Sequence, residues 1–383
     1  DAINNGASDI HFDPSEDMLR VRVRIDGVLQ NYSSIPNSYK NNLITRIKIL
    51  ASMNITETRL PQDGAIKSVL KGINLDLPTK RGEKIVIRIL DYSMSLRGIE
   101  YLYFNESNYQ KILKMLAAPY GIILVTGATG SGKSTTVYSF LQKLNVEGSN
   151  LITVEDPVDI EGINQVQVNS DIGLDFATVL RSILRQDPNI IMIGEIRDSE
   201  TAKIAVRASI TGHLVLSTLH TNNSLNTIER LLDMNVERYL LASALTGIVS
   251  QKLARKLCDK CKRLRKTTTH EKQLFEAVLG KNIEEVYESV GCDECHGGYK
   301  GRIAIHEVLL INQEIRDAIS TGVKKEDLRE LVYSNDVITL LQDGLYKVIA
   351  GFTSFEEVLK LIEVDDEISD IEAMEKAMSN IDK

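Results

Sequence analysis

A glycine-rich stretch, VTGATGSGKSTT at residues 125–136, combines residue types that can hold a phosphate chain. It follows GIILV, an apolar run short enough for a buried strand, and precedes a segment with helical spacing. A tight turn between a strand and a helix leaves several backbone N–H groups pointing into one concavity, at the positive end of the helix dipole. Lys133 adds a point charge, and the Ser134 hydroxyl can reach a magnesium ion.

The spacing G-x-x-x-x-G-K-S therefore predicts binding of a nucleoside triphosphate, for which we expect ATP, together with Mg²⁺. A chance glycine-rich turn is the alternative, and the strand–loop–helix context argues against it. The loop residues predicted to bind ATP are Gly127, Ala128, Thr129, Gly130, Ser131, Gly132, Lys133, Ser134 and Thr135.

Short apolar runs alternate with helical segments between residues 120 and 250, which is typical of parallel strands with crossover helices. Ligands in such sheets bind at the carboxyl ends of the strands. Glu155 follows LITV, Glu195 follows NIIMIG, and His220 comes shortly after HLVLST, of which His213 is the first residue. We expect all four side chains near the triphosphate, with His213 as a further ATP-binding residue.

These residue types suit phosphoryl transfer to water, which needs charge neutralisation on the β,γ-oxygens and a carboxylate that orients the water. Lys133 and magnesium supply the first. Glu155 and Glu195 are candidates for water activation and for the outer shell of the magnesium, and His220 can hydrogen-bond the γ-phosphate. Any single acid at a strand end can instead be a helix cap or a surface charge. Acidic or histidine side chains at three strand ends, together with the glycine-rich phosphate loop at 127–135, favour a catalytic site.

The four cysteines form two pairs, LCDKC and GCDEC. Two such knuckles facing each other supply four thiolates at tetrahedral reach, which predicts a closed structural Zn²⁺ site. A redox pair and two disulfides are the alternatives, and a large intracellular chain favours zinc. The predicted zinc ligands are Cys258, Cys261, Cys292 and Cys295.

The chain has 383 residues, enough for two or three domains with ample core. Its net charge of −8 provides no global attraction to nucleic acid. The sequence contains neither an apolar stretch of membrane-spanning length nor a segment resembling a signal peptide, so we expect a cytoplasmic location. Because the first residues read as the tail of a helix, we also expect an N-terminal part to be missing.

The segment MLRVRVRIDGVLQNY alternates strictly between apolar residues and arginines. It predicts a strand that carries Arg20, Arg22 and Arg24 on one face, followed by a turn at Asp26-Gly27. Three arginines on one face repel each other unless water or an anion lies opposite. A solvated face and an anion-facing surface both remain open.

In the order and completeness of its motifs, the chain resembles the hexameric secretion ATPases that drive type IV pilus assembly and type II secretion, the PilB and GspE relatives. The resemblance runs from GASDIHFDP to TSFEEVLKLI. GATGSGKST resembles the Walker A motif of this family, and ITVEDPVD resembles its Asp box. LRSILRQDPNIIMIGEIRDSETA resembles its Walker B region, TGHLVLSTLHTN its His box, and the cysteine pairs with IHEVL its zinc insert.

The resemblance implies an α/β fold: a RecA-like P-loop parallel-sheet ATPase domain with a PAS-like α/β N-terminal (N2) domain, a tetracysteine zinc insert and C-terminal helices. An acidic tail with helical spacing of apolar residues follows and is not a family feature. The expected divisions are 1–104 (N2), 105–118 (linker), 119–250 (ATPase core), 251–310 (zinc subdomain), 311–365 (C-terminal helices) and 366–383 (tail).

Carried over by position, Glu155 would activate the water, Glu195 would serve the magnesium side, and His220 would lie near the γ-phosphate. The family also uses arginines that reach the nucleotide. Arg88 matches one such position, and Arg181 and Arg185 match others. The stretch GINLDLPTKRGE is shorter than the family pattern and lacks its arginine, for which Arg81 is the candidate substitute.

The implied function is a homohexameric ATPase in which nucleotide-driven closure of N2 on the core powers pilus assembly. The implied partners are an inner-membrane platform protein (PilC/GspF-like) and a cytoplasmic adaptor (PilM/GspL-like), which would place the motor at the inner face of the cytoplasmic membrane without nucleic acid. The zinc insert favours an assembly or secretion motor over a retraction motor. The alternatives are a type II secretion ATPase, a DNA-translocating or conjugation ring, and a nucleotide-regulated zinc scaffold with little turnover.

Overall fold

The chain folds as two compact units, Asp1–Met94 and Ser95–Lys383, in a computed structural model. Arg81 and the tail at 366–383 lie outside the residues that the structure describes. Within the described part of the chain, no helix combines the length and hydropathy needed to cross a membrane. The described residues are 2–3, 5–66, 72–79, 82–89, 98–158, 163–169, 172–334 and 336–362.

Among its described residues, the first unit contains a six-stranded antiparallel sheet of order β3-β2-β1-β6-β5-β4 and one helix. The predicted turn at Asp26-Gly27 has positive φ at both residues, as a two-residue hairpin between right-twisted strands requires. The elements are β1 (Ala7–Pro14), β2 (Met18–Ile25), β3 (Val28–Pro36), α1 (Asn37–Leu50), β4 (Gln62–Ile66), β5 (Gly72–Thr79) and β6 (Gly82–Ile89).

Arginines on one face of β2 form ion pairs with aspartates of the neighbouring strand β1. Arg22 Nε donates a hydrogen bond of 2.6 Å to Asp13. Arg24 and Arg88 both approach Asp9, with nitrogen–oxygen distances of 3.6 and 3.3 Å. Leu19, Val21, Val23 and Ile25 of β2 point to the other face and are buried. Among the described residues, Asp13 and Asp9 on β1 therefore lie opposite Arg22 and Arg24 of the stripe.

The second unit is built on a seven-stranded sheet of order β15-β12-β7-β11-β10-β8-β9. Its neighbouring strands are parallel except for β15, which runs antiparallel to β12. The predicted α/β fold is thus confirmed, with one antiparallel edge strand added. The strands are β7 (Gly121–Thr126), β8 (Leu151–Glu155), β9 (Asn164–Gln167), β10 (Ile190–Ile193), β11 (Leu214–Leu219), β12 (Leu245–Leu257), β13 (Arg263–Lys266), β14 (Glu285–Glu288) and β15 (Tyr299–Leu310).

The four central strands β7, β8, β10 and β11 are buried at every residue because helices cover both faces of a parallel sheet. Strands β13 and β14 form a separate two-stranded sheet. The helices are α2 (Glu106–Leu116), α3 (Lys133–Leu144), α4 (Phe176–Ile183), α5 (Ser199–Ile210), α6 (Ser224–Asp233), α7 (Arg238–Ala244), α8 (Thr269–Leu279), α9 (Gln313–Thr321), α10 (Lys325–Ser334), α11 (Leu340–Ile349) and α12 (Phe355–Ile362), and a 3₁₀ helix spans Ile99–Leu102.

The segment 105–118, which the sequence predicts to be a linker, contains α2 and packs against β15. Asn105 caps this helix by accepting a hydrogen bond from the backbone N–H of Asn108. Ile112 and Met115 lie three residues apart and are fully buried. The segment is thus part of the packed second unit.

His306 on β15 is a fully buried histidine whose ring lies 3.9 Å from that of Phe104. Among the described residues, neither ring nitrogen has a hydrogen-bond partner, although Asp343 accepts a bond from the His306 backbone N–H. Burial, with a contribution from the charge of Lys347, holds the pKa of His306 well below its ordinary value. The folded chain therefore keeps this ring neutral where the unfolded chain protonates it.

We expect the free energy of unfolding to fall as the pH drops below about 6.5, because only the unfolded state then takes up a proton at His306. The loss from this group approaches about 1.4 kcal/mol per pH unit. Urea unfolding at pH 7 and pH 5 measures it, and His306→Phe should make the loss smaller. The exposed His270, changed to Gln, is the control. An identical loss in the wild type and in His306→Phe would assign the effect to other groups.

Candidate nucleotide-binding site

The glycine-rich loop connects the end of β7 at Thr126 to the start of α3 at Lys133, as the sequence predicts. Gly127, Gly130 and Gly132 all have positive φ, which glycine adopts without steric cost. A Cβ atom on Gly127 would lie 2.4 Å from a backbone oxygen of β12. Only glycine fits that position, and the loop closes tightly against the neighbouring strand.

Lys133 lies partly buried inside the loop. Its Nζ donates hydrogen bonds to the carbonyl oxygens of Gly127 and Ala128, at 2.9 and 3.1 Å. Burial lowers the pKa of Lys133 to about 8, opposed by the nearby carboxylate of Glu195. A phosphate chain in the loop would favour the charged ammonium.

Glu195 and His220 come together because β10 and β11 are adjacent parallel strands that end at the same edge of the sheet. His220 Nε2 lies 3.6 Å from Glu195 Oε2, and Arg197 donates a bond of 2.7 Å to the other carboxylate oxygen. Burial and then the charge of Lys133 lower the pKa of His220, which favours the neutral ring. Arg197 is not among the residues predicted from the sequence, where its position two residues after Glu195 in GEIRD is the available signal.

Glu155 ends β8 but is only 3% exposed. Its carboxylate accepts hydrogen bonds from the Tyr138 hydroxyl, from Thr153 Oγ1 at 2.5 Å and from Gln165 Nε2 at 3.2 Å. Tyr138 lies on α3, which starts with the loop lysine. The structure therefore gives Glu155 a buried set of partners separate from the Lys133–Glu195–His220 group. Tyr138 and Gln165 belong to no motif and are not among the residues predicted from the sequence.

The structure corrects the prediction for His213. Its carbonyl oxygen accepts a hydrogen bond from the N–H of Gly121, the first residue of β7, and its Nδ1 lies 2.9 Å from the carbonyl oxygen of Ala208. Strands β7 and β11 run parallel, so His213 is at their amino ends and the phosphate loop at their carboxyl ends. A six-residue strand separates these edges by about 20 Å. His213 therefore lies at the opposite edge of the sheet from the glycine-rich loop.

The three predicted arginines that the structure describes, Arg88, Arg181 and Arg185, occupy exposed positions. Arg181 on α4 forms an ion pair with Glu200, and Arg185 approaches the Ser182 hydroxyl at 3.4 Å. Arg88 belongs to β6 of the first unit, with its side chain 55% exposed. Each of these guanidinium groups thus presents surface to solvent.

The four cysteines form one cluster in which all Sγ atoms lie within 4.8 Å of one another. The Sγ–Sγ distances are 4.0 Å for Cys258–Cys292, and 3.6 Å for both Cys261–Cys295 and Cys292–Cys295. A tetrahedral zinc with Zn–S bonds of about 2.3 Å needs sulfurs about 3.8 Å apart. No disulfide joins them, so the cluster is compatible with zinc.

Comparison with known proteins places this geometry in context. Residues 1–360 match the model of the family described as Type II/IV secretion system protein. The Type IV pilus assembly ATPase PilB of Thermus thermophilus is 45% identical over 375 residues, covering 94% of this chain and 41% of that protein. The Putative type II secretion system protein E of Escherichia coli K12 is 44% identical, covering 94% of this chain and 74% of that protein.

A solved structure of the Pilus Retraction Motor PilT with bound ADP has a similar fold. It superposes with a TM-score of 0.64 at 27% identity, covering 94% of both chains. The ATPase DotB of Legionella pneumophila, at 22% identity and a TM-score of 0.67, shares the fold. The present chain spans less than half of the Thermus relative and about three quarters of the Escherichia one.

Proposed function

The chain belongs to the Type II/IV secretion system protein family, and from this membership we propose that it is an ATP-hydrolysing homohexameric motor for type IV pilus assembly. The observation that carries the proposal is the convergence of Lys133, Glu195 and His220 beside the phosphate loop. Type II secretion is the second candidate, because relatives carrying that name match the chain at nearly the same identity as PilB.

In the proposed reaction, water attacks the γ-phosphorus of ATP and the bond to the β,γ-bridging oxygen breaks, giving ADP and phosphate. The loop N–H groups and Lys133 hold the β- and γ-phosphates. The Ser134 hydroxyl and Glu195 would hold Mg²⁺, which would supply further charge neutralisation when bound. His220 donates a hydrogen bond to the γ-phosphate and so distinguishes ATP from ADP.

Glu155 is proposed as the carboxylate that takes the proton from the attacking water. To do so it exchanges the hydrogen bond from Tyr138 or Gln165 for one from the water, because both carboxylate oxygens already accept bonds. Tyr138 lies on the helix that begins with Lys133. Helix α3 therefore carries both the lysine that would bind the phosphates and the tyrosine that Glu155 would have to release.

Motion is proposed to follow from arginine–phosphate pairs. Arg88 and Arg81 of the first unit would close on the nucleotide, and Arg181 and Arg185 would bridge to a neighbouring subunit. Loss of the γ-phosphate charge would then reopen the site. In a ring of six, repeated closure would move a platform protein in the membrane, with an adaptor linking the motor to the inner face of the cytoplasmic membrane.

The test of this function is phosphate release by the chain with Mg-ATP, measured with and without duplex DNA. We expect Mg²⁺-dependent hydrolysis that DNA does not stimulate, as the net charge of −8 supports. Native mass measured with a non-cleavable ATP analogue should correspond to six chains. Hydrolysis that rises with DNA would favour a DNA-translocating ring, and binding without turnover would favour a scaffold.

Zn²⁺ is the proposed occupant of the cysteine cluster, with a structural role because four thiolates complete its shell. Removing it with a strong chelator, or changing Cys292 to Ser, should lower the melting temperature by roughly 10 °C, since structural zinc contributes folding free energy directly. Elemental analysis should find one zinc per chain before chelation.

Asp293→Asn, in the same knuckle but outside the cluster, is the matched control for Cys292→Ser and should retain both zinc and melting temperature. A purified chain without zinc, whose unfolding is unaffected by the chelator, would contradict the proposal.

A further inference from the structure

Gln251 on β12 is a buried amide, 1% exposed, that the proposed reaction does not use. Its Nε2 donates a hydrogen bond of 2.7 Å to the carbonyl oxygen of Ser131 in the phosphate loop. Its Oε1 accepts a bond of 2.8 Å from Thr136 Oγ1 on α3. One side chain thus joins the loop and the helix that follows it to a neighbouring strand.

The backbone of the loop is also in close contact with Gln251. A Cβ atom on Gly127 would lie 2.4 Å from the Gln251 carbonyl oxygen, and one on Gly132 would lie 3.1 Å from its Nε2. The contact at Gly127 is closer than a Cβ atom allows, and the contact at Gly132 is tight. The backbone of the loop is therefore packed directly against Gln251 of β12.

Strand register explains why Gln251 can reach the loop. The ladder between β12 and β7 ends at the pair Ser250 and Thr126, whose hydroxyl oxygens lie 2.9 Å apart. Gln251 is the next residue on β12, beside the point where β7 gives way to the loop. On the other side it is paired with His306 of β15, which holds its backbone in place.

We infer that Gln251 is a positioning residue for the phosphates, an inference that rests on the proposed nucleotide binding. In a trans peptide unit the carbonyl and the N–H point in opposite directions. By holding the Ser131 carbonyl toward β12, the Gln251 amide turns the N–H of Gly132 away from the strand. This presets a donor of the loop before the ligand arrives, which lowers the ordering cost of binding.

The test compares the binding of MgADP by calorimetry, which needs no turnover. Gln251→Leu removes both side-chain hydrogen bonds and should raise the dissociation constant about tenfold or more, the change expected when one preset hydrogen bond is lost. Ile303→Val, at a buried position of β15 in the same sheet, is the matched control for packing. It should leave MgADP affinity unchanged even where it lowers the melting temperature.

Gln251→Glu provides a second variant of nearly the same shape. Its carboxylate still accepts from Thr136 but cannot donate to the Ser131 carbonyl. At pH 8 it should weaken MgADP binding at least as much as Gln251→Leu. As the pH is lowered to 6, its affinity relative to wild type should recover, because a buried carboxyl has a raised pKa and donates when protonated.

Wild-type affinity for MgADP in both Gln251 variants would overturn the inference and leave Gln251 a packing residue. A wild-type chain that binds no nucleotide would overturn the proposed function and this inference together. A wild-type chain that binds MgADP but hydrolyses no ATP would contradict the proposed motor function and not the inference about Gln251. The dissociation constants of the Gln251 variants would still decide that inference.

Discussion

Lys133→Ala is expected to lower the rate of ATP hydrolysis by about 100- to 1,000-fold, the loss typical of removing one preorganised charge from a reacting centre. Lys133 has its ammonium inside the loop, hydrogen-bonded to two loop carbonyls and near Glu195. Alanine leaves the charge of the β- and γ-phosphates without this partner. Steady-state phosphate release measures the effect.

The control for Lys133→Ala is Lys143→Ala, an exposed lysine in the last turn of the same helix. It should hydrolyse ATP at the wild-type rate. Equal low rates of ATP hydrolysis in the wild type, Lys133→Ala and Glu155→Gln would exclude an enzymatic function. They would favour a nucleotide-regulated scaffold. Equal high rates in the wild type and Lys133→Ala would place hydrolysis elsewhere.

The lowered pKa of Lys133 adds a pH signature to the same comparison. With a pKa of about 8 in the free protein, Lys133 is increasingly neutral above pH 8 and must take up a proton when ATP binds. Wild-type affinity for ATP should therefore fall as the pH rises from 8 to 9, approaching tenfold per pH unit at the limit. Lys133→Ala should bind weakly at both pH values and lack this slope.

Glu155→Gln is expected to lower kcat by about 100-fold or more while KM changes less than about threefold, because an amide cannot take the proton of the attacking water. Its similar shape retains the hydrogen bond from Thr153 and leaves the phosphate loop unchanged. Glu195→Gln should instead raise the Mg²⁺ concentration needed for half-maximal rate, in addition to lowering kcat.

The matched control for both variants is Glu147→Gln, an exposed carboxylate in the turn that follows α3. It should keep the wild-type rate and Mg²⁺ dependence. If Glu155→Gln kept the wild-type kcat and Glu195→Gln were inactive, water activation would be assigned to Glu195 and not to Glu155. The burial of Glu155 makes this comparison the most direct test of its assigned role.

The phosphate loop and the strand runs around it could be predicted from the sequence because their determinants are local. A buried strand, a glycine-rich turn and an amphipathic helix occupy consecutive residues, and positive φ at Gly130 is a property of the turn itself. The paired cysteines are local in the same sense. Each CxxC places two thiols on one knuckle, and the cluster then needs only the two knuckles to meet.

The remaining parts of the site depend on contacts between residues distant in the chain. His213 and His220 flank the same apolar run. Because β11 runs parallel to β7, His220 lies at the sheet edge that carries the glycine-rich loop, and His213 lies at the opposite edge. The burial of Glu155 depends on Tyr138, which α3 carries over the sheet. Gln251 reaches a loop 120 residues earlier in the chain.

By itself, the sequence determined the local elements and the chemical types available to them, because hydrophobic period, glycine positions and motif spacing act over a few residues. Tertiary structure alone decided which side chains meet, which are buried and which arginines already have carboxylate partners. The physical reason is that strand order and register, set by packing of the whole sheet, determine the distances between residues far apart in sequence.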